Sequence, residues 1–249
     1  MKTLIAFDMD GTLAESKQPL EPDMAAMLAA LLHVADVAII SGGDWPQFEK
    51  QVVARLPDGA DCSRLFIMPT TGTKLYRFDG AWKPVYVDAF STEERDKILV
   101  ALDKAVADAG LAKVQTWGER VEDRGSQITF SGLGQQAPLA EKNAWDPDMA
   151  KRKGLQTALI AMLPGLSITL GGATSVDITR QGVDKAYGLR RLSEQTGIAT
   201  ADMLFLGDAI FPGGNDDPVR AAGMDTVKVR DVQETMTAIA AIIACLKDR

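Results

Sequence analysis

Four apolar residues, Leu4–Phe7, stop abruptly against two carboxylates, Asp8 and Asp10, and a glycine, Gly11. The run is too short for a helix and fits a buried strand. Gly11 supplies the backbone freedom for the chain to leave that strand. Two acids are thus placed at the carboxyl end of a strand, which is where open α/β sheets bind their ligands. Oxygen donors of this kind suit a hard cation such as Mg²⁺.

The rest of the chain reads as alternating helices and buried strands, interrupted once. Residues 21–32 are expected to be a helix and 34–40 a strand ending in Ser41-Gly42-Gly43; residues 45–56 follow as a helix. A hydroxyl and two glycines between a strand and a helix N-terminus suit a phosphate, because backbone N–H groups can approach it closely. Residues 65–68 form a third strand leading into Thr70-Thr71-Gly72-Thr73, and 75–87 a hairpin around Asp79-Gly80. The pattern then changes. A helix over 92–109 is followed by short strands at 114–117 and 126–130, a helix at 148–163, and strands at 166–170 and 175–179, which indicates a separate α+β layer. Alternation resumes with a helix from Lys185, a strand ending in Gly207-Asp208, a glycine-rich turn through Asn215 and Asp216, a strand at 226–229 and a closing helix. The expected organisation is a core at 1–85 and 185–249, with an inserted α+β domain at 86–184.

Composition narrows the chemistry. A net charge of −7 argues against nucleic acid or an anionic membrane surface as a partner. Two cysteines support neither a disulfide framework nor a thiolate metal site, so a cytoplasmic location is expected. A single histidine, His33, leaves carboxylates and lysines as the acids and bases. Parallel strands bring their carboxyl ends to one edge, so Asp8, Asp10, Ser41, Asp208 and the helix-opening Lys185 can converge. Such a set suits phosphoryl transfer: a carboxylate nucleophile, a second carboxylate as acid and base, a metal, and a serine and a lysine on the transferred group.

The motifs Asp8-Met9-Asp10-Gly11-Thr12, Ser41-Gly42-Gly43, Lys185, and Gly207-Asp208 with Gly214-Asn215-Asp216 stand in the order of the haloacid dehalogenase superfamily. The chain resembles that superfamily over nearly its whole length. Ser175-Val176-Asp177, Gly182-Val183-Asp184-Lys185 and the turn through Pro212 resemble the branch that contains phosphomannomutases and sugar-phosphate phosphatases. The resemblance implies a Rossmann-like core with an inserted α+β cap. It makes Asp8 the nucleophile and Asp10 the acid/base. It assigns Mg²⁺ to Asp8, the Asp10 carbonyl and Asp208, with Asn215 and Asp216 in support, and the phosphoryl group to Ser41, Gly42 and Lys185. Arg124, Ser175 and Asp177 match positions that hold a sugar phosphate. Ser131-Gly132-Leu133-Gly134-Gln135 departs from the mutases' Ser-Pro-x-Gly-Arg turn, with Gln135 in place of the arginine. The expectation is a Mg²⁺-dependent phosphohydrolase acting on a phosphorylated sugar or similar small metabolite through an aspartyl phosphate. Its alternative is a phosphomannomutase interconverting mannose 1-phosphate and mannose 6-phosphate. A phosphorylated small molecule is the expected partner, and a homodimer stays open.

Overall fold

The computed structural model describes residues 2–247; Met1, Asp248 and Arg249, at the outer ends of the expected segments, lie outside the described residues. Two compact units are present, one formed by Met1–Val87 with Val183–Arg249 and the other by Asp88–Gly182. In chain order the first contributes β1 (Leu4–Phe7), α1 (Pro22–Leu32), β2 (Asp36–Ile40), α2 (Trp45–Gln51), β3 (Leu65–Met68), a tight four-residue turn with a non-helical backbone, labelled α3 (Pro69–Gly72), β4 (Lys74–Phe78) and β5 (Trp82–Val87). The second holds α4 (Thr92–Asp108), β6 (Val121–Asp123), β7 (Gln127–Ser131), α5 (Leu139–Trp145), α6 (Ala150–Met162), β8 (Leu166–Leu170) and β9 (Ser175–Arg180). The chain then returns to the first unit with α7 (Lys185–Thr196), β10 (Met203–Gly207), α8 (Asp217–Ala221), β11 (Asp225–Lys228) and α9 (Val232–Leu246).

The core sheet runs β11-β10-β1-β2-β3-β4-β5, with the first five parallel and the β4–β5 hairpin antiparallel. Its central strands are buried on both faces, which explains their unbroken apolar runs. Ile5, Phe7, Val37, Ile39 and Ile67 pack on the side of α1 and α9; Leu4, Ala6, Ala38, Ile40 and Met68 pack with Leu189 and Leu192 of α7. From β1 the chain steps outward through β2 and β3, and later returns on the other side as β10. The strand order therefore reverses at β1, and Asp8 follows it at that switch point. The hairpin strand β5 runs to Val87, so the core extends two residues beyond 85. It resumes at Val183 because Asp184 already caps α7, its carboxylate accepting from Tyr187 N at 2.7 Å.

In the second unit an antiparallel sheet, β6-β7-β9-β8, carries α4 and α6 on one face. Ile128, Phe130, Val176 and Ile178 meet Ile98, Leu102, Leu155 and Leu159 there. A reciprocal capping box between Ser91 and Glu94 starts α4. No helix among the described residues is long and apolar enough to cross a membrane.

Two expectations need correction, and one helix was not foreseen. Residues 114–117 are not a strand. Gly118, at φ 73°, turns the chain there, Trp117 N bonds Leu133 O instead of a ladder partner, and the true edge strand is β6. The helix expected over 45–56 ends at Gln51 and closes with a 3₁₀ turn at Val53–Arg55. The short α5 had no apolar periodicity to announce it; its Trp145 ring lies where any side chain at Gly132 would stand.

The buried pair Asp146–Arg152 locks this unit. Asp146 accepts from Lys151 N and Arg152 Nε at 2.9 Å and from Arg152 N at 3.1 Å, while Arg152 also reaches the carbonyls of Gly171 and Gly172. Removing one partner strands a buried charge, so Asp146→Ala is expected to cost about 3–5 kcal/mol. Hydrogen exchange reads this as accelerated exchange through β8 and β9, with the core sheet still protected.

Candidate active site

The switch point brings together side chains from four separate stretches. Asp8 is buried, and its Oδ1 accepts from Lys185 Nζ at 2.5 Å. The same ammonium donates to Asp216 Oδ1 at 2.5 Å, and Asp216 Oδ2 accepts from Ala209 N at 3.0 Å. Lys185 is thus enclosed between two carboxylates at the first turn of α7. Asp208, next after β10, lies against the turn at Gly11. That residue has φ 82°, and any Cβ there would come within 2.8 Å of Asp208 Oδ2. Glycine is required on both counts. Thr12 adds a long 3.5 Å contact from its hydroxyl to Asp208.

Asp8, Asp208 and Asp216 each offer an oxygen within 4.8 Å of the others. Three carboxylates against one ammonium leave a local charge of about −2 in a mostly buried place, which is costly without a counter-ion. All-oxygen donors of that charge fit a hard divalent cation. Burial is the largest influence on Asp8 and raises its carboxyl from the ordinary 3.8 to about 6; Lys185 pulls it down and Asp216 pushes it up. Burial alone would depress Lys185, but Asp8 and Asp216 override it and keep the amine above the ordinary lysine range.

The side chain of Asp10 is not part of this carboxylate group. It accepts from Lys17 N at 2.6 Å, inside the tight turn closed by the Gly11 N bond to Ala14 O. Asn215 is exposed. Ser41 is buried at the end of β2, followed by the exposed Gly42 and by Asp44, which caps α2 through Trp45 N. Parallel pairing of β1 with β2 sets the Ser41 loop beside the Asp8 turn.

Arg124, Ser175 and Asp177 belong to the second unit. Asp177 accepts from Thr129 Oγ1 at 2.7 Å, and Gln127 Nε2 donates to the same hydroxyl at 3.0 Å. Arg124 bonds Glu122 at 2.8 Å. Ser175 stands opposite Ser131 in the β7–β9 register. Burial pushes the Asp177 carboxyl up, against the pull of Thr129 and Arg124. The buried Gln127 and Thr129 went unnoticed in the sequence, and the buried Ser131 was read only as part of the turn that follows. The period-2 alternation of Gln127-Ile128-Thr129-Phe130-Ser131 was the available signal, since it puts three polar residues on the face away from the helices.

A stability test follows from Asp8. Its folded value lies above its unfolded one, so the stability it contributes is present below pH 3.8 and is lost as pH rises through about 6. The metal-free protein is therefore expected to lose thermal stability across that window, and Asp8→Asn to flatten the loss. A divalent cation should close the gap between the two at neutral pH. Parallel melting curves for both proteins, with chelator and with Mg²⁺, check this.

A family model described as eukaryotic phosphomannomutase matches residues 24–244. The phosphomannomutase of Schizosaccharomyces pombe is 28% identical over 222 residues, covering 86% of this chain and 84% of its own. Human phosphomannomutase 1 is 26% identical over 243 residues, covering 92% and 89%. Among solved structures, C-terminally truncated Plasmodium falciparum IMP-nucleotidase aligns with a TM-score of 0.70 at 18% identity, over 98% of this chain and 72% of its own. Aspergillus fumigatus trehalose-6-phosphate phosphatase aligns with a TM-score of 0.60 at 16% identity, over 98% and 93%. At those identities the structural likeness speaks for the fold. The family match runs from α1 to α9 and takes in both units, so this chain belongs to the eukaryotic phosphomannomutase family, within the haloacid dehalogenase superfamily.

Proposed function

We propose that the protein is a phosphomannomutase, moving a phosphoryl group between the 1- and 6-oxygens of mannose by way of Asp8. The observation that carries the reading is the buried Asp8–Lys185–Asp216 arrangement at the sheet switch point, in a chain whose relatives along most of its length are named phosphomannomutase. The expected phosphohydrolase and the mutase share their first half-reaction, and the relatives favour the mutase.

Lys185 occupies Asp8 Oδ1, which leaves Oδ2 to attack phosphorus. The P–O bond to the sugar breaks as the Asp8–phosphorus bond forms, and Asp10 gives its proton to the departing oxygen. In the other direction the phosphorylated Asp8 gives its group to the free hydroxyl of a mannose monophosphate, with Asp10 taking that hydroxyl's proton; the bisphosphate so formed turns around and returns its other phosphoryl group to Asp8. Ser41 and the Gly42 N–H hold equatorial phosphoryl oxygens, and Lys185 offsets their charge. A Mg²⁺ ion held by Asp8, Asp208, Asp216 and the Asp10 carbonyl, with Asn215 in support, would supply further neutralisation of phosphoryl charge. In the cap, Arg124, Ser175 and Asp177 bind the sugar phosphate, and Thr129 fixes the Asp177 carboxylate.

One observation favours hydrolysis as a second reading. A mutase must retain a bisphosphorylated sugar while it turns around, and Gln135 stands where the resemblance leads one to expect an arginine. Its Nε2 is buried without a hydrogen-bond partner among the described residues. Loss of one charge-paired contact costs about 2–5 kcal/mol of retention.

Asp8→Asn is expected to abolish turnover while the protein stays folded, because an amide neither attacks phosphorus nor serves well as an anionic ligand. Phosphoryl trapping on any residue other than Asp8 contradicts the mechanism. To separate the two readings, mannose 1-phosphate is supplied with Mg²⁺ and a hexose bisphosphate, and mannose 6-phosphate and free phosphate are quantified together. Isomerisation is expected to outrun phosphate release. The opposite ratio assigns the enzyme to hydrolysis.

A further inference from the structure

The turn after β3 has an unusual backbone. Thr70 and Thr71 take φ values of 47° and 59°, and Gly72 follows at 80°. Successive left-handed β-branched residues are rare, because Cβ crowds the neighbouring peptide, and they persist only where the surroundings over-determine them. Here the surroundings are explicit. The hydroxyls of Thr70 and Thr73 bond each other at 2.6 Å, Thr73 Oγ1 donates to Thr70 O at 2.8 Å, and Tyr86 OH donates to Gly72 O at 2.8 Å.

The turn's own N–H groups converge on one target. Thr71 N donates to Ser41 O and Thr70 N to Gly43 O, each at 2.8 Å. In a trans peptide the carbonyl and the following N–H point in opposite directions. Holding the Ser41 carbonyl therefore aims the Gly42 N–H away from the turn, on the exposed side of the loop. The turn also touches the helix that carries Lys185. A Cβ built on Gly72 would lie 2.4 Å from Gly188 Cα, one helical turn beyond Lys185. The Thr71 hydroxyl forms no hydrogen bond among the described residues, so the backbone, not the side chain, makes these connections.

Resting on the phosphoryl-holding role proposed for Ser41 and Gly42, we infer that Thr70-Thr71-Gly72 is a positioning turn, with Thr71 as its central residue. It orients the Gly42 amide by gripping the Ser41 carbonyl, and it sets the Ser41–Gly43 loop against the helix of Lys185. Two phosphoryl contacts from distant parts of the chain are thereby held at one spacing.

The test compares Thr71→Pro, Thr71→Asn and Ser41→Ala in the full-length protein with Mg²⁺. Inorganic phosphate affinity, turnover of mannose 1-phosphate and melting temperature are measured for each. Thr71→Pro removes the N–H and forces a negative φ. It is expected to weaken phosphate binding about tenfold and to lower kcat/KM about a hundredfold, the effect of an ångström-scale misplacement. Thr71→Asn keeps the N–H and tolerates positive φ, and should restore both to within about threefold. A folded proline variant with wild-type phosphate affinity overturns the inference, as does an asparagine variant as impaired as the proline one. If the proline variant does not fold, Thr70→Gly with Thr71→Gly decides. That pair relieves the strain but frees the turn, and should lower kcat with little change in melting temperature; an unchanged kcat sinks the idea. Ser41→Ala separates the two proposals. If it leaves phosphate affinity unchanged, the role given to the loop fails; if it weakens binding while Thr71→Pro does not, only the positioning role fails.

Discussion

The core depends on one buried ammonium. Lys185 Nζ bonds Asp8 and Asp216, which lie 177 and 31 residues away in sequence. Removing a lysine from water is unfavourable unless its charge is met, and here it is met from both sides. The compensation is incomplete in the other direction, because Asp208 brings a third carboxylate with no second cation among the side chains of the group. Burial is what chiefly raises the Asp8 carboxyl, and the surplus negative charge adds to it through Asp216. In the proposed reading that surplus is also what a divalent cation and a phosphoryl group would use, with the cation offsetting the crowding of the three carboxylates. Stability and reactivity therefore pull against each other at the same three residues.

That arrangement follows from topology. Parallel strands with a reversal at β1 bring the ends of β1, β2 and β10 side by side. The helix that carries Lys185 packs on the same sheet through Leu189 and Leu192. Each residue reaches the site because an apolar strand or helix face behind it is buried. The second unit solves a different problem with the same alternation. One face of its sheet is apolar and covered by helices; the other carries the buried Thr129 and the half-buried Asp177 and Arg124 as an interlinked polar face.

The sequence made the α/β class and the sheet-edge carboxylates legible, because buried strands of four or five apolar residues ending in Asp8, Ser41 and Asp208 carry their own punctuation. It was a poorer guide wherever structure depends on backbone geometry or on distant partners. Residues 114–117 read as a short strand, yet the chain turns at Gly118 and Trp117 N bonds Leu133 O instead of a ladder partner. The side chain of Asp10 accepts from Lys17 N and lies outside the Asp8–Asp208–Asp216 group, a distinction that two acids separated by one residue cannot reveal. Asp216, read as a supporting residue, makes direct contact with Lys185 and is more buried than Asp208.

The left-handed threonines show the limit of such reading most sharply. Local preference alone would put glycine or asparagine at positions 70 and 71, and Thr-Thr would suggest an extended segment. The conflict is resolved only by tertiary contacts. The hydroxyl pair Thr70–Thr73, the Tyr86 bond to Gly72, and the backbone contact with Gly188 hold a conformation that the dipeptide would not choose. These partners come from separate elements: Thr73 just ahead of β4, Tyr86 in β5, and Gly188 in α7, the helix that opens with Lys185. A cheaper turn was available to a chain that needed only to connect β3 to β4. A strained one, bonded by both of its amides to the loop after β2, makes the position of that loop depend on the whole edge of the sheet.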